Sequence, residues 1–214
     1  MNEQQKQVTY TSSNTYLTLN RLAGSTRNVW MVFHGIGYLS RYFINHFREL
    51  DPDENYIIAP QAPSKYYLNN QYKHVGASWL TRENTPVEIE NVLNYINAVF
   101  DAETMPANCR LIVLGFSQGV SVAMRWVARR RIPVYRLLLY AGGIPTELQP
   151  EDFDFLGKES RVRMVYGDKD EYLSATRLKQ EKEKANSLFG RQIEFRAFRG
   201  GHEINSELLK ELAK

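Results

Sequence analysis

Cysteine is nearly absent: Cys109 is the only one, so the chain can form no internal disulfide and no zinc cluster built on thiolates. Histidine is scarce as well. Its four residues include no H-x-x-x-H or E-x-x-H pair, and carboxylates do not gather beside them at ligand spacing; no metal and no cofactor is therefore expected. No apolar stretch approaches the ~20 residues of a membrane span. The amino terminus, MNEQQKQVTYTSSNTY, is polar without an apolar core segment, so neither a secretion signal nor membrane insertion is expected, and the cytoplasm is the expected compartment. An excess of one charge is also missing. With 27 basic and 24 acidic residues the formal charge is +3, too balanced for nucleic acid or an anionic membrane to be the main partner. The compact basic run Arg129-Arg130-Arg131 closes a predicted helix, where cations complement the last carbonyls. Internal repeats, low-complexity tracts and interdomain linkers are lacking too, which leaves one domain over residues 1–214 with a loose start at 1–14.

What is present is an alternation of apolar runs and amphipathic stretches. Strands are predicted near Tyr16–Leu22, at Asn28–Phe33, Tyr56–Ala59, Leu111–Leu114, Val134–Ala141, Arg161–Tyr166 and Gln192–Ala197. After Asn28, NVWMVF is apolar at every position, and so is LIVL, as strands covered on both faces are. Between them the spacing predicts helices over Tyr38–Leu50, Thr85–Phe100, Val120–Arg129 and Thr176–Phe189, and a short one from about Asn205. Thr85-Pro86 with Glu88 reads as a capping box opening the second of these. Pro60 to Thr85 shows no sustained period and reads as a long surface loop. Residues 146–160 read as an irregular acidic loop with a short helical turn. The pattern is that of an α/β fold with one largely parallel sheet flanked by helices and no large cap insertion.

The chemistry centres on Gly115-Phe116-Ser117-Gln118-Gly119. A bare G-x-S-x-G occurs by chance, but here a buried strand precedes it and a helix follows, which is the setting of a nucleophile elbow. The glycines permit a turn too tight for side chains beside Ser117. The backbone N–H of Gln118, opening the new helix, faces the same space and is placed to donate to a developing oxyanion.

In a parallel sheet, reactive groups collect on loops leaving the carboxyl ends of strands. Three such loops carry Ser117, then Gly167-Asp168-Lys169-Asp170, then Gly200-Gly201-His202, in the chain order Ser, Asp, His. Ser117 needs a base to take its proton, His202 is placed to supply it, and Asp170 would hold the second ring nitrogen. Asp168, nearer the strand end, competes with Asp170, and either could belong to an ordinary acidic turn. His34 ends a strand beside these loops, and its expected work is to hydrogen-bond the loop that follows. His46 and His74 are expected to serve packing or solvation.

Taken together, His34-Gly35-Ile36-Gly37, Gly-Phe-Ser117-Gln118-Gly, Gly167-x-x-Asp170 and Gly200-Gly201-His202-Glu203-Ile204 resemble the phospholipase/carboxylesterase family, which includes acyl-protein thioesterases and bacterial carboxylesterases. The resemblance spans nearly the whole chain and implies an α/β-hydrolase fold. It matches Ser117 with the nucleophile, Asp170 with the acid and His202 with the base, and the N–H groups of Ile36 and Gln118 with the oxyanion hole. Ser78-Trp79 resembles the family's segment lining the acyl site, which implies substrate contact for Trp79. Tyr38 and Leu80 depart from the family's usual aspartate and phenylalanine, and both bear on substrate choice.

The expected activity is hydrolysis of a small-molecule ester or thioester through an acyl-Ser117 intermediate, by a monomer or homodimer. Tyr66, Tyr67 and Tyr72 join Trp79 as candidates for an acyl or aryl pocket. A non-catalytic binding protein on a hydrolase fold and a peptidase or C–C hydrolase on the same fold are the alternatives.

Overall fold

The computed structural model describes residues 2–214. Its centre is a seven-stranded sheet in which each interior strand carries an apolar run. In chain order the strands are β1 (Tyr16–Leu19), β2 (Asn28–Phe33), β3 (Asn55–Pro60), then β6 (Arg110–Phe116), β7 (Arg136–Tyr140), β8 (Arg161–Gly167) and β9 (Ile193–Phe198). β4 (Ser64–Tyr67) and β5 (Val75–Ser78) form a separate antiparallel hairpin. The spatial order is β1-β3-β2-β6-β7-β8-β9; β1 runs antiparallel to β3 and every other pair in the large sheet is parallel.

The helices are α1 (Ser40–Phe43), α2 (Thr85–Asp101), α3 (Gln118–Arg130), α4 (Ala175–Phe189) and α5 (Ser206–Ala213). They cover both faces of the sheet, and the two-residue period of β2 shows how. Val29, Met31 and Phe33 point into a core shared with α2 and α3, whereas Trp30 and Val32 point into a second core under α1 and α5. All six residues of β2 are buried, which is why its sequence after Asn28 is continuously apolar and not alternating. α2 buries the stripe Val92, Leu93, Ile96 and Val99, three- and four-residue steps along one helical face.

Several elements differ from their expected form for local reasons. β1 stops at Leu19 because Asn20 turns to a positive φ of 71°. The helix expected over Tyr38–Leu50 is α-helical only for Ser40–Phe43 and tightens to a 3-10 turn over Ile44–Phe47. It has no side-chain cap, Asn45 and His46 are weak helix formers, and Phe43 and Phe47 dock against one another in the core. The α2 cap is Asn84, not Thr85, and it adopts a left-handed conformation with no side-chain cap bond; Thr85 instead hydrogen-bonds the Thr81 carbonyl at 2.8 Å. The Pro60–Thr85 stretch, expected as a loop, contains the β4–β5 hairpin. One strand of that hairpin is exposed at all four positions, so burial imposes no period on its sequence.

Residues 2–15 carry no regular secondary structure. Between β7 and β8 the chain forms only a 3-10 turn, Pro150–Phe153. The three consecutive arginines are each paired: Arg129 and Arg130 with Glu90 and Asp101 on α2, and Arg131 with Asp154 beyond the 3-10 turn. No helix among the described residues is long and apolar enough to cross a membrane.

Candidate active site

Ser117 stands where β6 ends and α3 begins, with φ 53° and ψ −118°, a backbone conformation a side-chain-bearing residue holds only when its surroundings impose it. They do so here by hydrogen bonds and by contact. The Ser117 N–H donates to the Tyr140 carbonyl at 2.8 Å, and its own carbonyl accepts from Val120 N–H at 3.1 Å. Contact explains the glycines. A Cβ on Gly115 would lie 2.3 Å from the Gly119 carbonyl oxygen, and one on Gly119 would lie 2.2 Å from that of Phe33. The corner closes only because both side chains are missing.

Asp170 and His202 arrive from the ends of β8 and β9. The carboxylate and the imidazole are brought together by the parallel register of those strands, Gly167 opposite Phe198. His202 Nδ1 lies 2.8 Å from Asp170 Oδ2, and the Asp170 side chain is fully buried. The other oxygen, Oδ1, accepts from the Tyr172 N–H at 2.9 Å, so the carboxylate is fixed at both ends. The imidazole is held between Phe116 and Tyr172, whose rings lie 5.0 and 4.7 Å from it. Asp168, the competing carboxylate, is exposed and accepts the Gly200 N–H at 3.0 Å; it ties the two loops together without reaching the imidazole ring.

Ser117, His202 and the backbone of Ile36 and Gln118 share a cleft of about 440 Å³. Tyr38 and Phe116 complete one wall, and Gly142, Gly143, Tyr172 and Arg177 the other. Among the described residues, neither the Ile36 nor the Gln118 N–H has a hydrogen-bond acceptor of its own.

A family model for phospholipases and carboxylesterases matches residues 18–214. The chain belongs to the phospholipase/carboxylesterase family. Its architecture is the α/β-hydrolase fold: acyl-protein thioesterase 2 of Zea mays superposes with a TM-score of 0.70 at 17% identity, covering 94% of this chain and 96% of that one. A phospholipase/carboxylesterase of Dyadobacter fermentans gives 0.67 at 20% identity, covering 96% and 98%, and the Bacillus cereus carboxylesterase gives 0.65 at 13%, covering 94% and 92%. A sequence search of curated proteins finds no significant match. The family marks a hydrolase of the carboxylesterase type.

In this family member the loop bearing Ile36 is braced from three sides. The His34 ring donates from Nδ1 to the Gly35 carbonyl at 2.8 Å and accepts the Ala62 N–H on Nε2 at 3.1 Å. Gly37 N–H reaches the Ala77 carbonyl at 2.8 Å, and the Trp79 indole N–H reaches the His34 carbonyl at the same distance. Trp79, expected at the substrate, is therefore elsewhere: it is fully buried behind that loop, packed on Phe33 and His34, and does not line the cleft. Tyr66, Tyr67 and Tyr72 are exposed on the hairpin and also lie off the cleft lining.

The Gln118 side chain escaped the sequence reading, in which only its backbone N–H figured. Its Oε1 accepts the Trp79 N–H at 2.8 Å and its Nε2 donates to the Leu80 carbonyl at 2.7 Å, locking the start of α3 to the end of the hairpin. A glutamine directly after the serine was the available signal. Arg177 was missed as well, and no signal in the sequence marks it, because it lies on α4 rather than on a loop leaving the sheet.

Burial gives His34 a measurable signature. With both nitrogens committed and no water around it, its pKa falls from the ordinary 6.5 to about 4, desolvation of the charged form being the cause. The folded protein thus refuses a proton that the unfolded chain accepts. Its contribution leaves stability unaffected above pH 6.5, lowers it as pH falls from there to about 4, and adds nothing further below, a total of about 3 kcal/mol. Chemical denaturation at pH 7.0, 5.5 and 4.5 should show that slope, and His34→Asn should flatten it. Equal slopes in the two proteins would place the acid sensitivity in another group.

Proposed function

We propose that this chain is a serine hydrolase that cleaves carboxylic esters or thioesters through an acyl-Ser117 intermediate. The observation that carries the reading is the convergence, in one cleft, of a serine on a strained strand-to-helix corner and an imidazole whose Nδ1 is held by a buried, doubly anchored aspartate. An Nδ1–H donated to Asp170 leaves Nε2 as the basic nitrogen, the tautomer a general base needs. His202 takes the proton of Ser117 as its oxygen attacks the carbonyl carbon. The N–H groups of Ile36 and Gln118 receive the negative charge that develops on the carbonyl oxygen. His202 then returns the proton to the departing alcohol or thiol, and in the second half-reaction takes one from water, releasing the acid and regenerating Ser117. No step requires a cofactor.

Intact-protein mass spectrometry after a fluorophosphonate, together with turnover of p-nitrophenyl esters, tests the proposal. One covalent adduct and ester hydrolysis are expected. The absence of both would favour a binding protein on this fold.

On this mechanism Trp79 serves the oxyanion loop, not the acyl chain. Trp79→Phe keeps most of the ring and deletes the donor to the His34 carbonyl, so kcat/KM should fall roughly threefold to tenfold, the worth of one hydrogen bond of about 1 kcal/mol. The loss should be equal for esters from acetate to octanoate. A change in chain-length preference would put Trp79 on the acyl site after all.

A further inference from the structure

The cleft carries a charge that the hydrolytic chemistry does not use. Of the residues that line it, Arg177 is the only one permanently charged, and no carboxylate shares the lining. Asp170 is screened behind His202 with its side chain fully buried. The carboxylate closest along the helix, Glu181, is also committed: one oxygen accepts the Ile144 N–H at 2.8 Å and the other pairs with Lys184 at 3.2 Å. Among the described residues Arg177 has no carboxylate partner, whereas Arg125 on α3 is paired with Glu147.

Its guanidinium is held in place without being neutralised. Nη1 donates to the Tyr172 carbonyl at 2.9 Å, and Nη2 lies against Gly143, where a Cβ would come within 3.3 Å of it. Gly142, the preceding residue, packs on the Ser117 backbone so closely that a Cβ there would sit 2.2 Å from the Ser117 carbonyl oxygen. Two glycines thus lead from the serine to the arginine along one wall, and with ~3.8 Å between successive Cα atoms the guanidinium is at most about 12 Å from the Ser117 backbone. A planar donor, anchored at one nitrogen and unpaired by acid, is pre-organised for an oxyanion such as a carboxylate.

We infer that Arg177 selects esters or thioesters that carry an anionic group, a carboxylate foremost, a few atoms from the reacting carbonyl. This rests on the serine-hydrolase reading and names the substrate class of that same cleft. Either half of the substrate can carry the charge: the acyl part, as in a half-ester of a dicarboxylic acid, or the leaving alcohol.

The test compares monoethyl succinate, glutarate, adipate and suberate with uncharged ethyl esters of matching length, following acid release at constant pH. A second arm sets butyryl esters of glycolic and 3-hydroxypropionic acid against ethyl and propyl butyrate. In at least one arm kcat/KM should favour the charged ester about tenfold, through KM, and the ratio should shrink as salt rises. Arg177→Met should bring that ratio close to one, and Arg177→Lys should leave it intermediate. The arm that shows the effect tells which half of the substrate bears the charge. A ratio near one in the native protein in both arms, or one unchanged by Arg177→Met, would overturn the inference.

Binding separates this outcome from failure of the hydrolase reading. Calorimetry on Ser117→Ala should detect the charged ester more tightly than the neutral one, and Ser117→Ala/Arg177→Met should lose the difference. If no ester is turned over, the proposed function fails while calorimetry still decides Arg177: a difference lost with the arginine upholds the anion site, and equal binding in both proteins removes it.

Discussion

Ser117→Ala is expected to abolish both fluorophosphonate labelling and ester hydrolysis, lowering kcat by about 10⁶-fold if the serine and histidine act as one unit, as they do in subtilisin. The structural reason for so large an effect is that the site holds no second nucleophile. Ser121, the other serine lining the cleft, donates to the Gln118 carbonyl at 2.9 Å and sits one helical turn into α3. Cys109 is outside the cleft, its thiol pKa raised by burial and its sulfur bonded to the Thr26 carbonyl. Alanine also removes little structure. The strained corner is held by backbone bonds donated to Tyr140 and accepted from Val120 and by the Gly115–Gly119 contact, none of which uses the hydroxyl. Thermal unfolding of the variant should therefore stay within a few degrees of the native protein. Loss of activity together with unfolding would point to a packing role for the serine; a retained adduct would move the nucleophile elsewhere.

Asp170→Asn should lower turnover by about 10⁴-fold, the size of the corresponding change in the serine proteases, whereas Asp168→Asn should cost far less. The contrast follows from which oxygen is already engaged. Asp170 Oδ1 accepts the Tyr172 N–H, so an asparagine at this position keeps its oxygen there and turns its NH₂ toward His202. Facing a donor, Nδ1 must become the acceptor, and the proton moves to Nε2, where the base is needed unprotonated. Asp168 accepts only the Gly200 N–H at the surface, a bond an asparagine oxygen reproduces. Steady-state kinetics on both variants, with folding checked by circular dichroism, decides between them. Reversed effects would make Asp168 the triad acid and require a rearranged loop.

Much of this site could be anticipated because strand and loop chemistry are local. An apolar run such as NVWMVF has to be a strand covered on both faces, and a serine between glycines at the end of such a run has to turn sharply into the next helix. The Gly-Gly-His segment and the Gly-x-x-Asp segment each follow a predicted strand, and the α/β rule sends both to the same edge of the sheet. The resemblance to the phospholipase/carboxylesterase family then singled out Ile36, which nothing local marks.

The sequence by itself determined the α/β class, the order of the strands along the chain and the residues that the carboxyl edge could gather, since each depends on hydrophobic period and turn chemistry within some ten residues. Tertiary structure alone decided which aspartate meets the imidazole, because Asp168 and Asp170 are two residues apart and only the β8–β9 register turns one of them inward. It decided that Trp79 braces the Ile36 loop from behind, since an aromatic residue has the same signature whether it faces substrate or core. It made a hairpin of the Pro60–Thr85 stretch, whose outer strand is held by hydrogen bonds and not by burial. And it brought Arg177 from the flank of α4 to the cleft, a placement set by how that helix packs on the sheet and by Gly143, whose missing side chain leaves the guanidinium room.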